Sequence, residues 1–329
     1  MLFTDKLDVI EEDIRQYEKS LLDALLKDRT TRKNIIWATE NYAELGEAFG
    51  PDCEITPALL TGEYARLIQP RVAKSFEDQE TRTRDKAEVF TPCWVCNAQN
   101  NLVDREWFGG QDVFNISDDN QGWTVIGEKV PFPTTGSHSW KKYVDAKRLE
   151  VSCGEAPYLV SRYDTVTGEE IPIPSRVGLL DRKLRVVGEN TETEAEWIKW
   201  ATRAFQAVYG YEYQGDNLLL ARENLLITFI DYYQDRFQKS PEKNLLLDIA
   251  RIISWNLWQM DGLKYVVPNS CKPIITEDIT LFGIEVTEEP CPGCKKGDYH
   301  LHTGIYCKIM DWREKASLPF VSMMKGART

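Results

Sequence analysis

The chain has 329 residues, enough for one large domain or two ordinary ones, and its 40 basic and 52 acidic residues give a net charge of −12. This balance excludes a generally basic nucleic-acid coat, so DNA binding would need a local basic face. A hydrophobic fraction of 42%, with 10 Trp, 14 Tyr and 12 Phe, excludes a disordered chain. No apolar run approaches the roughly 18 residues of a membrane span, and the acidic N-terminus is not a secretory signal, so we expect a cytoplasmic protein.

The first segment, 1–84, is predicted to be helical. Apolar residues recur at three- and four-residue steps over 5–27, the spacing of an amphipathic helix: Leu7, Ile10, Ile14, Tyr17, Leu21 and Leu25. The helical region is predicted to continue to about residue 80 with a break at Gly50-Pro51. The polar stretch 77–88 is predicted to be a linker or an exposed helix.

Short strands and helices alternate in the middle segment, 85–265. The sequence predicts strands at 148–151, 209–212 and 255–259. Helices are predicted between them, one of which starts at a capping box formed by Thr193 and Glu196. This alternation predicts an α/β fold with a parallel sheet, in which a ligand would bind at the carboxyl ends of the strands.

Each predicted strand is followed by a residue suited to a nucleoside-type ligand. Gly154 lets the backbone approach a ligand closely. Glu212 can accept hydrogen bonds from both hydroxyls of a ribose, and Asp261 from an exocyclic amine. Together the three positions predict a nucleoside-type cofactor lying across the sheet.

Four motifs over roughly 85–265 resemble those of the M subunits of bacterial restriction-modification systems, the N6-adenine DNA methyltransferases that use S-adenosylmethionine. The segment 88–92, with Phe90-Thr91-Pro92, is similar to the family's Phe-Thr-Pro turn, and 150–158 is similar to its cofactor loop, D-P-x-C-G-x-G-x-F. In that loop Glu150 replaces the Asp and Ala156 the second Gly, while Tyr158 keeps the aromatic. Glu212 and Asp261 match the family's acids for the ribose and the adenine of the cofactor.

The resemblance implies a Rossmann-like methyltransferase sheet and a role in DNA methylation. It implies DNA as a partner, with a nuclease or specificity subunit as a further one, and no membrane. The cofactor-binding residues that it implies are Phe90, Thr91, Pro92, Glu150, Cys153, Gly154, Glu212 and Asp261.

One family motif is missing, the D/N-P-P-Y/F that holds the flipped-out target adenine. The catalytic candidates that remain are Asn269, after Val-Val-Pro, and Asp311, before Trp312. Two alternatives therefore stay open beside an active adenine methyltransferase. One is a degenerate cofactor- or DNA-binding subunit, and the other is a methyltransferase acting on a substrate that is not nucleic acid.

Cysteines are concentrated in the last segment, 266–329. Cys291-Pro292-Gly293-Cys294 is typical of a knuckle that directs two thiolates at one metal ion, and Cys307 is predicted as a third ligand. The fourth ligand is predicted to be Cys271, His302 or His300. Such a closed site would hold a structural zinc ion within a small β element; the alternative is a set of reduced thiols in a β-turn.

The second Cys-x-x-C pair, Cys93 and Cys96, is predicted to be a pair of helix thiols rather than a metal site. Three basic runs are the best candidates for phosphate contacts, although solvated surface is their default interpretation. These runs are Lys141-Lys142, Lys147-Arg148 and Arg182-Lys183-Arg185.

Overall fold

The computed structural model describes residues 3–5, 7–74, 91–133, 136, 138–280 and 283–324. The helices are α1 (Glu11–Tyr17), α2 (Lys19–Leu26), α3 (Cys93–Trp107), α4 (Trp140–Asp145), α5 (Leu179–Asn190), α6 (Glu194–Gln206), α7 (Gly215–Phe237), α8 (Lys243–Asn256) and α9 (Pro292–Lys296). The strands are β1 (Thr4–Asp5), β2 (Asp8–Val9), β3 (Asn115–Ser117), β4 (Trp123–Val125), β5 (Arg148–Val151), β6 (Val208–Glu212), β7 (Leu257–Gln259), β8 (Ile274–Thr280), β9 (Gly283–Glu289), β10 (Lys308–Asp311) and β11 (Ala316–Pro319).

A three-stranded parallel sheet lies at the centre of the fold, with strand order β5-β6-β7. Parallel neighbours need long crossovers, which here contain α5 and α6 between β5 and β6, and α7 and α8 between β6 and β7. The predicted mixed α/β class with a parallel sheet is confirmed. The other sheets among the described residues are antiparallel strand pairs.

Thr193 caps α6 as predicted, since its side chain accepts the Glu196 N–H. The Glu196 carboxylate accepts the Glu192 N–H at 3.3 Å instead of that of Thr193, so only half of the predicted capping box forms. The third strand is shorter than predicted, because α8 continues to Asn256 and leaves Leu257–Gln259 for β7. The Asn256 side-chain amide donates to the carbonyls of Phe205 and Val208, which holds the end of α8 against β6.

The N-terminal segment differs from the long helical region that was predicted. The periodic stretch forms two short helices that meet at Glu18, whose carboxylate accepts the Ser20 N–H. Residues 43–73 then form short 3-10 turns, because Gly and Pro recur too often for a longer helix. The predicted linker at 77–88 lies outside the described residues.

The N-terminal segment packs over the carboxyl ends of the parallel strands. The Gln259 side chain accepts the Ile36 N–H at 2.9 Å and donates to the Ile36 carbonyl at 2.7 Å. Gly215, at the start of α7, donates its N–H to the Trp37 carbonyl at 3.1 Å. A Cβ at Gly215 would lie 2.0 Å from the Ile36 oxygen, so this close approach requires glycine.

Two residues of one predicted basic surface run are buried, which corrects that prediction. Arg182 donates to the Asp104 carboxylate at 2.5 Å and to the Asn97 and Asn101 side chains, each at 2.7 Å. Lys183 donates to backbone carbonyls, one of which is that of Val144 at 2.9 Å. These cations hold α5 against its neighbours and cannot contact a phosphate from solvent.

A buried arginine also joins the N-terminal helices to the sheet. The Arg222 guanidinium donates to the carbonyls of Leu25, Lys27, Ser254 and Leu257. Burial lowers the pKa of Arg222 to about 9. Its donors satisfy carbonyls at the carboxyl ends of α2 and α8, which have no partner within their own helices.

Within the described residues, every helix is too short or too polar to cross a bilayer.

Candidate functional site

The loop after β5 is joined directly to the end of β6. The Gly154 N–H donates to the Glu212 Oε2 atom at 2.9 Å. The loop reaches this position through left-handed backbone at Ser152, Gly154 and Ala156, with φ values of 49°, 51° and 64°. The buried Ala156 therefore adopts a conformation that favours glycine, the residue that the methyltransferase loop pattern has at this position.

The carboxylates at the two strand ends are buried and accept backbone N–H groups. Glu212 Oε1 accepts from Tyr213 at 2.8 Å and Gln214 at 3.1 Å, in addition to the bond from Gly154 to Oε2. The pKa of Glu212 is raised because burial outweighs these three hydrogen bonds, which lower it. Glu150 accepts from two N–H groups of its own loop at 3.2 Å, and burial raises its pKa to about 8.

The other sequence-predicted cofactor residues lie on segments adjoining these strand ends. The Thr91 carbonyl accepts the Thr165 hydroxyl at 3.0 Å, and Pro92 directly precedes α3. Cys153 is buried and donates its N–H to the Tyr211 carbonyl at 2.9 Å. Asp261 follows β7, where its Oδ1 accepts the N–H groups of Leu263 and Lys264 and its Oδ2 lies 3.0 Å from the Lys264 ammonium. Phe90 lies outside the described residues.

The two predicted catalytic residues lie at opposite ends of the sheet. The Asn269 Oδ1 accepts the Tyr213 hydroxyl at 3.0 Å, which places it near the carboxyl end of β6. Asp311 lies 3.7 Å from the Lys147 ammonium, and Lys147 precedes β5 at its amino end. The Asp311 carboxylate also accepts the N–H groups of the turn that follows it. The structure therefore separates Asp311 from the predicted cofactor residues.

Three thiols and one imidazole converge in the C-terminal segment. The His302 Nδ1 lies 3.5 Å from the sulfur of Cys271, 3.5 Å from that of Cys291 and 3.7 Å from that of Cys294. All four ligand atoms lie within 4.8 Å of one another. Tetrahedral zinc, with Zn–S near 2.3 Å and Zn–N near 2.0 Å, requires an S···N separation of about 3.6 Å. This Cys3His cluster can therefore hold a metal ion, and its spacing is compatible with zinc.

Short local structure positions the four ligands of the Cys3His cluster. Cys291 precedes α9 and Cys294 lies inside it, so a single helical turn brings both thiols to one side. A Cβ at Gly293 would lie 2.6 Å from the His302 Nδ1, which makes this position dependent on glycine. The Thr303 hydroxyl donates to the Lys272 carbonyl at 2.6 Å and joins the histidine segment to Cys271.

Without a metal ion, the Cys3His cluster favours a single thiolate, that of Cys291. Burial acts to raise the pKa of Cys291, but hydrogen bonds from Thr303, the Cys294 backbone and His302 lower it to about 5. The Thr303 N–H donates to the Cys291 sulfur at 3.2 Å. Burial and the neighbouring thiols Cys291 and Cys294 raise the pKa of Cys271 to about 11. A dication would remove this difference, because it stabilises several thiolates together.

Cys307 is not a member of the Cys3His cluster, which corrects its predicted role as a ligand. Its thiol is buried and donates to the Gln259 carbonyl at 3.3 Å. Its backbone N–H donates to the Tyr265 carbonyl at 3.1 Å, and this pairing directs the side chain towards the parallel sheet. The two residues that the sequence offered as alternatives for one position, Cys271 and His302, are both present in the cluster. Cys-x-x-C spacing identified one half of the cluster but not which distant residues would complete it.

The second Cys-x-x-C pair lies at the start of α3, as predicted, and is separate from the Cys3His cluster. The thiols of Cys93 and Cys96 are buried and contact the backbone carbonyls of Tyr163 and Thr91. Burial raises the pKa of both thiols. Among the described residues they do not belong to a group of three or more possible metal ligands, which agrees with a pair of helix thiols.

We expect Gly293→Ala to weaken metal binding without unfolding the rest of the chain, because the added methyl group would displace the His302 ring. A loss of affinity of about 10- to 100-fold is typical when the support of a metal ligand is disturbed. Competition titration with a chromogenic chelator measures this change. Gly127→Ala is the control, since Gly127 lies outside the cluster, has no left-handed backbone, and a Cβ there meets no atom within 4 Å. Equal zinc affinity in the two variants would contradict the steric role assigned to Gly293.

Comparisons with known proteins add no family to this description, since no family model, no curated protein and no solved structure matches the chain. The fold and the cluster define the class of protein as mixed α/β with a three-stranded parallel sheet and a Cys3His cluster able to hold a metal ion.

Proposed function

We propose that this protein binds S-adenosylmethionine at the carboxyl ends of β5, β6 and β7 and belongs with the N6-adenine DNA methyltransferases of restriction-modification systems. The observation that supports this proposal is the hydrogen bond between Gly154 and Glu212. It joins the glycine loop of one strand to the acid of the next, and nucleotide-type cofactors bind at such strand ends in open α/β sheets. The order β5-β6-β7 also places Asp261 beside them.

The two acids retain some capacity to accept hydrogen bonds. A carboxylate offers about four lone-pair positions, and three are used at Glu212 by backbone N–H groups. Glu212 can therefore accept one ribose hydroxyl without losing any of these hydrogen bonds. A second hydroxyl would replace the Gly154 N–H. Asp261 likewise accepts three contacts from its own turn, which leaves about one position for an amine.

The missing D/N-P-P-Y/F motif favours a second candidate function within this class, a cofactor- or DNA-binding subunit with little activity of its own. Asp311, one of its two candidate replacements, lies at the amino end of β5. Asn269 lies near the strand ends but has a left-handed backbone with φ of 58° and no Pro-Pro frame. A misplacement of 1 Å in such a group costs about a hundredfold in rate.

Isothermal titration with S-adenosylmethionine tests cofactor binding. We expect micromolar-range affinity, and we expect Glu212→Gln to weaken it by about 2 kcal/mol, because a charged acceptor is replaced by a neutral amide. Asp311→Asn is the matched control at the other end of the sheet and should bind as the wild type does. Thermal melting of each variant separates lost binding from lost folding. No heat and no thermal shift with intact wild-type protein would refute the proposed site.

Incubation with labelled cofactor and mixed-sequence duplex DNA tests the enzymatic part. We expect weak or no adenine methylation by the isolated chain, and any activity to be lost in Asn269→Ala. Activity that requires addition of a nuclease or specificity subunit would support the subunit function. Robust methylation that survives Asn269→Ala and Asp311→Ala together would show that the reacting base is held elsewhere. In this function the protein acts in the cytoplasm, and its metal ion is zinc with a structural role.

A further inference from the structure

Strands β8 and β9, which lie between Cys271 and Cys291, form a projecting antiparallel pair, which we call the arm. Its two strands pair over seven residues each, and among the described residues no third strand joins them. An isolated two-stranded hairpin is marginally stable in water. Ligands of the Cys3His cluster lie just before β8 and just after β9, so a metal ion would hold the base of the arm closed.

One face of the arm carries exposed β-branched side chains together with Glu277 and Glu288. Glu277 is paired with Val286 and Ile275 with Glu288, so Ile275, Ile284 and Val286 lie on the same face. These three side chains are 62%, 64% and 63% exposed. The stretch 274–289 also contains five acidic residues and no basic ones. Exposed β-branched side chains interspersed with acids are typical of a surface that binds a basic, apolar partner.

A groove of about 290 Å³ elsewhere on the protein has complementary properties. Its apolar lining includes Leu149 of β5 and Leu318 of β11, and Leu149 is 45% exposed. Lys147 and Arg148 also line the groove. Asp311 lines the groove as well and lies 3.7 Å from the Lys147 ammonium, so Arg148 supplies the positive charge beyond this pair.

The edge of β5 beside this groove is available for pairing. Within the part of the chain that the structure describes, β5 is hydrogen-bonded on one side only, to β6. Val151, near the carboxyl end of the same strand, is 61% exposed. A sheet edge with exposed apolar side chains accepts an added strand through its backbone groups.

We propose that the arm of one copy of this chain docks in the Leu149 groove of a second copy. The occupant is a second copy because the two surfaces complement each other in charge and in apolar character: the arm is acidic, and the groove has a net positive charge, with Lys147 and Arg148 against Asp311. Reciprocal exchange of arms gives a closed two-fold dimer, in which each copy supplies one arm and one groove. This inference does not depend on cofactor binding or on methylation.

Sedimentation velocity of the full chain, loaded with zinc and measured over a wide concentration range, tests the proposal. We expect a dimer that weakens as salt is raised, because acidic and basic surfaces meet. Val286→Asp in the arm and Leu149→Asp in the groove should each abolish the dimer. Leu102→Asp is the matched control, since Leu102 is 59% exposed on α3 outside both surfaces and the variant should still dimerise.

Mixing the two defective variants distinguishes arm-to-groove docking from other modes of association. The Leu149→Asp copy retains an intact arm, and the Val286→Asp copy retains an intact groove, so their mixture should form a heterodimer with one of the two contacts. A wild-type protein that stays monomeric at every concentration would overturn the proposal. So would a dimer that either variant leaves unchanged, or a mixture that remains monomeric while wild type dimerises.

Discussion

Purified without added metal, the protein is expected to contain one zinc ion per chain, and Cys291→Ser and Cys271→Ser are each expected to lose it. Both thiols belong to the Cys3His cluster, and the segment they hold consists of two-stranded antiparallel pairs and the single-turn helix α9. Structural zinc contributes about 10–16 kcal/mol of apparent binding free energy in small metal-folded domains. Its loss should therefore unfold the C-terminal segment, while the parallel sheet and its helices persist. Elemental analysis and hydrogen exchange measure the two effects.

Cys307→Ala distinguishes the ligand set of the structure, which lacks Cys307, from the set predicted from the sequence, which includes it. Its thiol contacts the Gln259 carbonyl, so the variant should retain one zinc ion and lose only some stability in the core. Cys53→Ser provides a second control, because Cys53 is a half-buried thiol outside the cluster. Loss of zinc in Cys307→Ala together with normal zinc content in Cys271→Ser would contradict the assignment.

Between about pH 5 and pH 8 the protein is expected to lose stability as the pH rises, because two buried glutamates lie close together. Glu11 of α1 and Glu223 of α7 are each 1% exposed, and their carboxylate oxygens have no hydrogen-bond partner among the described residues. Burial, together with Asp8, raises the pKa of Glu11 from 4.5 to about 8. Burial, followed by the charges of Glu11 and Asp8, raises the pKa of Glu223 well above its ordinary value.

The sign of the effect follows from proton binding. The unfolded chain releases the Glu11 proton near pH 4.5, whereas the folded chain keeps it up to about pH 8. The folded state therefore binds more protons in this window, and each unit rise in pH lowers the free energy of unfolding by about 1.4 kcal/mol per group. The contribution is fully present below pH 4.5 and is lost as the pH passes through about 8. Denaturant titrations at several pH values measure this slope.

Glu11→Gln is expected to flatten the pH dependence and to stabilise the protein at pH 8, because the amide stays neutral in both states. Asp13→Asn is the matched control, since Asp13 lies on the exposed side of the same helix. It should leave the slope unchanged. The prediction would be contradicted by a wild-type protein whose free energy of unfolding rises steadily from pH 5 to pH 8. That result would show that both glutamates are ionised in the folded state and that each is paired with a cation.

The sequence by itself determined the features that depend on neighbouring residues. Alternating strand and helix patterns predicted the parallel sheet, and the Thr193 capping box marked the start of α6. Cys-Pro-Gly-Cys predicted two thiols directed to one side, because the spacing is that of a tight turn and Pro292 suits its first position. Local conformation is encoded in a few adjacent residues, so short patterns suffice to predict it.

Only the tertiary structure decided which distant groups meet. Cys271 and His302 complete the Cys3His cluster because Val267 pairs with Ile305 through its backbone, while the Tyr265–Cys307 pairing turns Cys307 towards Gln259. From the sequence, Arg182 and Lys183 were predicted to belong to an exposed basic run. In the structure they donate to buried carboxylate and carbonyl groups of other segments. Burial and long-range pairing depend on the packing of the whole chain, and charge and spacing along the sequence carry little information about them.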